Sequence, residues 1–102
     1  MSAIAQTPPP PYYAVIFTSV RTEGDNGYAQ MAQEMVDRAA HQPGFLGVES
    51  VRDTAGNGIT VSYWTSREAI EQWKQDARHQ IAKCKGRELW YQRFAIRICK
   101  VE

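Results

Sequence analysis

The chain has 102 residues, enough for one domain. Its apolar share of 43% and charged share of 23% exclude wholesale disorder. Twelve basic against eleven acidic residues leave a net charge of +1, too little field to hold a phosphate backbone, which argues against nucleic-acid binding. The longest apolar run, Tyr12–Phe17, is far short of a membrane span. No basic segment followed by a hydrophobic core opens the chain, so a soluble cytoplasmic protein with no membrane partner is expected. Cys84, Cys99, His41 and His79 have none of the usual zinc-ligand spacings, so no metal site is expected.

Residues 1–11 read as a flexible proline-rich tail, because Pro8–Pro11 cannot donate backbone hydrogen bonds and favour an extended form. The domain then occupies residues 12–102. Its first element is a strand, Tyr12–Arg21, rich in aromatic and β-branched residues and apolar on both alternating faces. A helix follows over about Asn26–His41, with Tyr28, Met31, Ala32, Met35 and Ala39 in one stripe and Asp25 or Asn26 as its cap. Pro43-Gly44 ends it, and His41 near its C-terminus suits a capping role. Strands Phe45–Asp53 and Ile59–Trp64 flank a turn at Thr54–Gly58. On the second of them Trp64 stands alone on the otherwise polar Thr60/Ser62 face. Thr65-Ser66-Arg67-Glu68 reads as a capping box with Thr65 as the cap, opening a second helix whose stripe is Ile70, Trp73, Ala77, Ile81 and Cys84. Gly86 stops it. The last strand, about Trp90–Val101, sets Phe94, Ile96 and Ile98 against Tyr91, Arg93, Ala95, Arg97 and Cys99.

The order β-α-β-β-α-β predicts an α+β, ferredoxin-like fold with two helices on one face of a four-stranded antiparallel sheet. The first strand is apolar on the other face as well, which implies a homodimer with its two sheets face to face.

With these elements placed, the chain resembles the antibiotic biosynthesis monooxygenase family, of the dimeric α+β barrel type. The resemblance is carried by Pro43-Gly44-Phe45, by Tyr63-Trp64-Thr65-Ser66, by Trp73 with His79, and by Gly86-Arg87-Glu88-Leu89-Trp90-Tyr91 followed by Arg97 and Val101-Glu102. The closing segment is similar to the branch grouped with heme-degrading monooxygenases. The resemblance implies a cofactor-independent monooxygenase acting on an aromatic or polycyclic small molecule with molecular oxygen. The alternatives are a heme-binding or heme-degrading protein and a non-catalytic binding dimer.

Heme-degrading relatives use an asparagine on the first strand, a tryptophan on the second helix and a later histidine. Trp73 matches the tryptophan, His79 lies closer to it than the ligand does there, Lys83 sits nearer the expected place, and the first strand has no asparagine. The resemblance therefore makes His79 the candidate base or heme ligand, with Trp73 beside it. On one unbroken helix His79 lies about 240° around from Trp73, so it reaches a shared pocket only if the helix breaks near Lys74–Asp76. Trp64, Phe17, Tyr13, Trp90 and Arg93 are the candidate substrate-binding residues. Against these roles, the tryptophans also suit the core, and Arg93 and Arg97 suit interface ion pairs with Glu49 or Asp53.

Overall fold

A strand apolar on both sides belongs in the middle of a sheet, and the first strand sits there. The computed structural model describes residues 4–84 and 90–102, and the side chains of all of these except residues 79–84. The elements are β1 (Tyr12–Arg21), α1 (Tyr28–Ala40), β2 (Phe45–Arg52), β3 (Asn57–Trp64), α2 (Arg67–Cys84) and β4 (Tyr91–Val101). They form the expected ferredoxin-like arrangement: an antiparallel sheet in the order β2-β3-β1-β4.

Period-2 alternation divides the residues of the sheet between two faces. Tyr13, Val15, Phe17, Ser19 and Arg21 of β1 share a face with Trp64 and Ser62 of β3 and with Ile98, Ile96, Phe94 and Tyr91 of β4. Both helices cover this face. Val15 and Trp64 form the core with Ala39 of α1 and with Ala69 and Ile70 of α2, and Tyr13, Phe45, Trp73 and Ile98 pack around them. The stripe expected for α1 is the one that turns inward, from Tyr28 through Met31, Ala32 and Met35 to the buried Ala39.

Local chemistry departs from the expected caps by one residue. Gly27, at φ 82°, is the N-cap of α1, and the Asp25 carboxylate accepts from the amides of Gly27 and Ala29 at 3.0 and 3.1 Å. In α2 the capping hydroxyl is that of Ser66, which accepts from the Ala69 amide at 3.1 Å; Thr65 instead donates its amide to the Gly44 carbonyl at 2.8 Å. His41 caps α1 as expected, its Nδ1 donating to the Asp37 carbonyl at 2.7 Å.

The proline-rich segment, expected to be a free spacer, lies against the sheet's uncovered face. The Ala5 amide donates to Glu49 at 2.9 Å, Thr7 donates to the Tyr12 hydroxyl at 2.9 Å, and Ala5 packs over Gly47. Among the described residues no helix is long and apolar enough to cross a membrane.

Gly44 joins α1 to β2 at φ +85°, and a Cβ there would meet Thr65 Oγ1 at 2.6 Å and the Ala69 Cβ at 2.7 Å. Both the left-handed backbone and the close approach of α2 therefore require glycine. Gly44→Ala is expected to lower stability by about 2–5 kcal/mol, combining the conformational and overpacking costs. A urea melt checks this; a midpoint unchanged from wild type would show that the junction tolerates a side chain.

Candidate functional site

Aromatic side chains on the helix-covered face fall into two groups at opposite ends of β1. At the Tyr13 end the group is closed. Trp64 is wholly buried, stacks on Trp73 at 5.9 Å and 23°, meets Phe45 edge-on at 5.4 Å, and spends its indole N–H on Ser62 Oγ at 2.9 Å. Its ring has no surface to offer a ligand. The Thr60/Ser62/Trp64 face of β3, polar in sequence, is thus the covered one, because one tryptophan and its hydroxyl partner fill it.

Toward Arg21 the second group is half-open. Phe17 meets Tyr91 edge-on at 5.3 Å and Phe94 at 5.6 Å, and Tyr28 meets Tyr91 at 5.7 Å and Trp90 at 6.1 Å. Phe17, Tyr28, Tyr91 and Phe94 are all half-buried, while Ile96 beside Phe17 is exposed. Tyr91 joins this group through a register shift. Val20 pairs with Arg93 but Arg21 with Tyr91, so the extra residue Gln92 swings Tyr91 off the Arg93/Arg97 face where simple alternation placed it.

Polar groups lie along one edge of this half-buried cluster. Arg52 donates through Nη2 to Ser19 Oγ at 2.7 Å and to the Tyr28 hydroxyl at 3.3 Å, and through Nη1 to the Gly56 carbonyl at 2.6 Å. Ser19 is only 2% exposed. The Tyr91 hydroxyl donates to that of Tyr28 at 3.4 Å. Arg21 places its guanidinium carbon 3.7 Å from the centroid of the Tyr28 ring and that of Arg52 lies 5.7 Å away, so both cations share one aromatic ring. Burial, and then the hydrogen bond to Tyr28, push the Tyr91 phenol well above the ordinary tyrosine range, outweighing the opposite pull of the two arginines. Tyr91 therefore stays protonated and acts as a donor.

The residues singled out in the sequence are not all brought together. Phe17 lines the cleft. Trp90 backs it through Tyr28, but is buried, with its indole N–H held by the Asn26 carbonyl at 2.9 Å. Tyr13, Trp64 and Trp73 belong to the closed group. Arg93 and Arg97 lie on the opposite face of the sheet, exposed, in register with Val20 and Ile16. Of their expected ion-pair partners, Asp53 is committed to the hairpin turn, accepting from the Asn57 amide at 2.8 Å. Glu49 accepts from the Tyr63 hydroxyl and the Ala5 amide. The side chains of His79 and Lys83 lie outside the described residues. The helix break on which a pocket shared by His79 and Trp73 depends is not there, since α2 is continuous from Arg67 to Cys84. Asp76, at the end of the Lys74–Asp76 stretch, takes a two-pronged pairing from Arg38 of α1 at 2.7 and 3.1 Å. Among the described residues no group of three or more histidine, cysteine or acidic side chains gathers to hold a metal ion.

Sequence reading missed Arg21, Arg52, Tyr28 and Ser19 as a group. The signal was present: Arg21 is in phase with Phe17 and Ser19, and Arg52 with Val48, at the same end of the covered face.

Known proteins resemble this chain at two levels. A sequence model described as antibiotic biosynthesis monooxygenase matches residues 11–83. The uncharacterised protein YqjZ of Bacillus subtilis (strain 168) is 57% identical over 102 residues, which is 100% of this chain and 90% of that protein. In fold, PA3566 from Pseudomonas aeruginosa matches with a TM-score of 0.71 at 17% identity, over 91% of this chain and 96% of its own. A variant of SnoaB, a cofactor-independent oxygenase from Streptomyces nogalater, matches with a TM-score of 0.73 at 12% identity, over 89% of this chain and 93% of its own.

On the uncovered face, the Glu49 hydrogen bond raises the Tyr63 phenol to about 12. The same bond, with the Ala5 amide, holds the Glu49 carboxyl below its usual range. The neutral phenol is the favoured form in the folded chain. Its contribution to stability is therefore complete below the ordinary tyrosine value near 10 and is lost as pH rises through 12. A tyrosinate absorbance titration is expected to show a late-ionising tyrosine that Glu49→Gln returns toward 10. An unchanged titration curve in the variant would contradict the pairing.

Proposed function

The chain belongs to the antibiotic biosynthesis monooxygenase family, and we propose that it binds a planar, electron-rich aromatic molecule on the helix-covered side of its sheet and oxygenates it with molecular oxygen. The observation that supports this most is the half-open group of Phe17, Tyr28, Tyr91 and Phe94, set beside a second aromatic group that is closed. Flat apolar walls with a few convergent polar groups suit a planar ligand and keep water from its reacting carbon. The likeness in fold to a cofactor-independent oxygenase supports the same class of chemistry.

In this reading a base removes a proton from a hydroxylated ring system, and the anion delivers electrons to oxygen. Converting a ring CH2 to C=O uses one O2, keeps one oxygen in the product and releases the other as water, so substrate carbon supplies every electron and no cofactor is invoked. Of the two histidines, His41 is committed to the Asp37 carbonyl at the exposed end of α1. His79 is accordingly assigned as the base, and Trp73, stacked on Trp64 in the closed group, takes no part in binding. No step is routed through heme, because β1 carries no asparagine and His41 is held by the Asp37 carbonyl.

A second copy of the chain is assigned to the uncovered face. There Val51 is 73% and Ile59 46% exposed, paired with each other and on the same face as Val61 and Ile16. Adjoining exposed apolar side chains of this kind favour a covering partner.

The test is oxygen consumption with a panel of polycyclic phenols, in the presence of a metal chelator. Substrate-dependent uptake that resists the chelator and falls by roughly a hundred-fold in kcat in His79→Ala is expected, the usual scale for loss of a general base. Chelator-sensitive uptake, a heme Soret band with bilin-like products on adding hemin and reductant, or full activity in His79→Ala would each contradict the assignment.

A further inference from the structure

The residues of the uncovered face fall into rows that run across the strands. The middle row is Glu49 of β2, Val61 of β3, Ile16 of β1 and Arg97 of β4, each paired with the next. One edge of the row is therefore acidic, the other basic, and the two central positions are apolar. Glu49, Val61 and Ile16 are half-buried, and Arg97 is exposed. The row on one side is Gly47, Tyr63, Ala14 and Cys99, and the row on the other is Val51, Ile59, Thr18 and Ala95. Neither contains an aspartate, glutamate, lysine or arginine.

Such a face is complementary to itself in one orientation. A second copy turned over about an axis along the strands, between β3 and β1, lays β2 over β4 and each row over itself reversed. Glu49 then meets Arg97 of the second copy, Arg97 meets its Glu49, and Val61 lies over Ile16 between them. In the neighbouring rows the bulky Tyr63 falls over the small Ala14, and Val51 over Ala95. An axis across the strands lays β2 over β2 instead. Passing through the middle row, it sets Glu49 against Glu49 and Arg97 against Arg97, and like charges facing each other across an interface oppose it.

Residues 4–11 stand in the way at one corner. The Ala5 amide donates to Glu49 Oε2 at 2.9 Å, and a Cβ on Gly47 would meet the Ala5 Cβ at 3.0 Å. Two sheets packed face to face lie about 10 Å apart, with their own side chains filling the gap. A seated segment and a second sheet cannot share that corner. The Tyr63 hydroxyl holds Glu49 Oε1, which leaves Oε2 as the oxygen that an arriving guanidinium would take.

We propose that the Glu49–Val61–Ile16–Arg97 row docks in reverse order on the same row of a second copy, with two reciprocal Glu49–Arg97 ion pairs, and that Ala5 gives up Glu49 when it does. This rests on the reading of the uncovered face as the place of a second copy, and adds the orientation of that copy and the segment it displaces. In the single chain the Ala5 amide keeps the carboxylate bonded; in the pair a charged donor replaces it.

The test is charge exchange followed by sedimentation velocity. Glu49→Arg and Arg97→Glu are each expected to weaken self-association by roughly a hundred-fold, because the two-fold axis repeats every change. Mixed in equal amounts, the two variants are expected to associate about as tightly as the native chain, since each copy then offers what the other lacks. Lys100→Glu, an exposed position of β4 in register with Tyr13 on the other face, is expected to leave association unchanged. In the native chain the NMR signal of the Ala5 amide is expected to lose its hydrogen-bonded shift as rising concentration drives pairing. A native dimer that survives both reversals, a mixture that associates no better than either variant alone, or an Ala5 signal unchanged between monomer and dimer would overturn the proposal. Where Glu49→Arg fails to fold, Arg97→Glu decides alone: a dimer as tight as the native one overturns the row. A native chain that stays monomeric sinks the second-copy reading itself, whereas a native dimer indifferent to both reversals sinks only its orientation.

Discussion

Everything in this molecule depends on β1 being a central strand that is apolar on both faces. Its Tyr13/Val15/Phe17 face recruits the two helices, because burial of aromatic and branched side chains is the dominant favourable term available to a chain of this size. On its other face Ala14 is buried within the chain, while Ile16 and Val20 are half-buried. The helices are short of partners too: Ala39 is the one fully buried residue of α1, and α2 is anchored through Ala69, Ile70 and Trp73 at its first half.

The contrast between the two aromatic groups separates structure from function. Trp64 is the most conspicuous residue of β3 in sequence, yet it is spent on packing, stacked on Trp73 with its N–H satisfied by Ser62. Tyr28 is less conspicuous, one member of a helical stripe. Yet Arg21, Arg52 and the adjacent Trp90 and Tyr91 converge on it from three different segments. Convergence across segments, rather than residue type, distinguishes a site from a core here.

Much of the fold was legible in the sequence because alternation and helical spacing are local signals. The six elements, their order and the inward stripe of α1 follow from period alone, and His41 announced its capping role by its place before Pro43. What escaped was set by single-residue geometry. The bulge at Gln92 reverses the facing of Tyr91 and carries it into the cleft, and no alternation rule encodes it. Thr65 and Ser66 are both good caps, and the choice fell to Ser66 because Thr65 is held by Gly44. The Thr60/Ser62 face of β3 reads as polar in sequence, yet Ser62 is buried as the partner of Trp64. The arginines were missed because a basic residue at a strand end reads as a solvated terminus until a second one is found at the same end of the same face.

The account divides the sheet's two faces between two tasks: the helix side holds the ligand and the uncovered side holds a second copy of the chain. Sedimentation velocity of the native protein and of Val61→Asp, which sets a charge in the middle of the uncovered face in register with Ile16, tests that division most directly. The account predicts a native dimer and a Val61→Asp monomer that keeps native secondary structure. A native protein that sediments as a monomer, or a Val61→Asp variant that still dimerises, would contradict it.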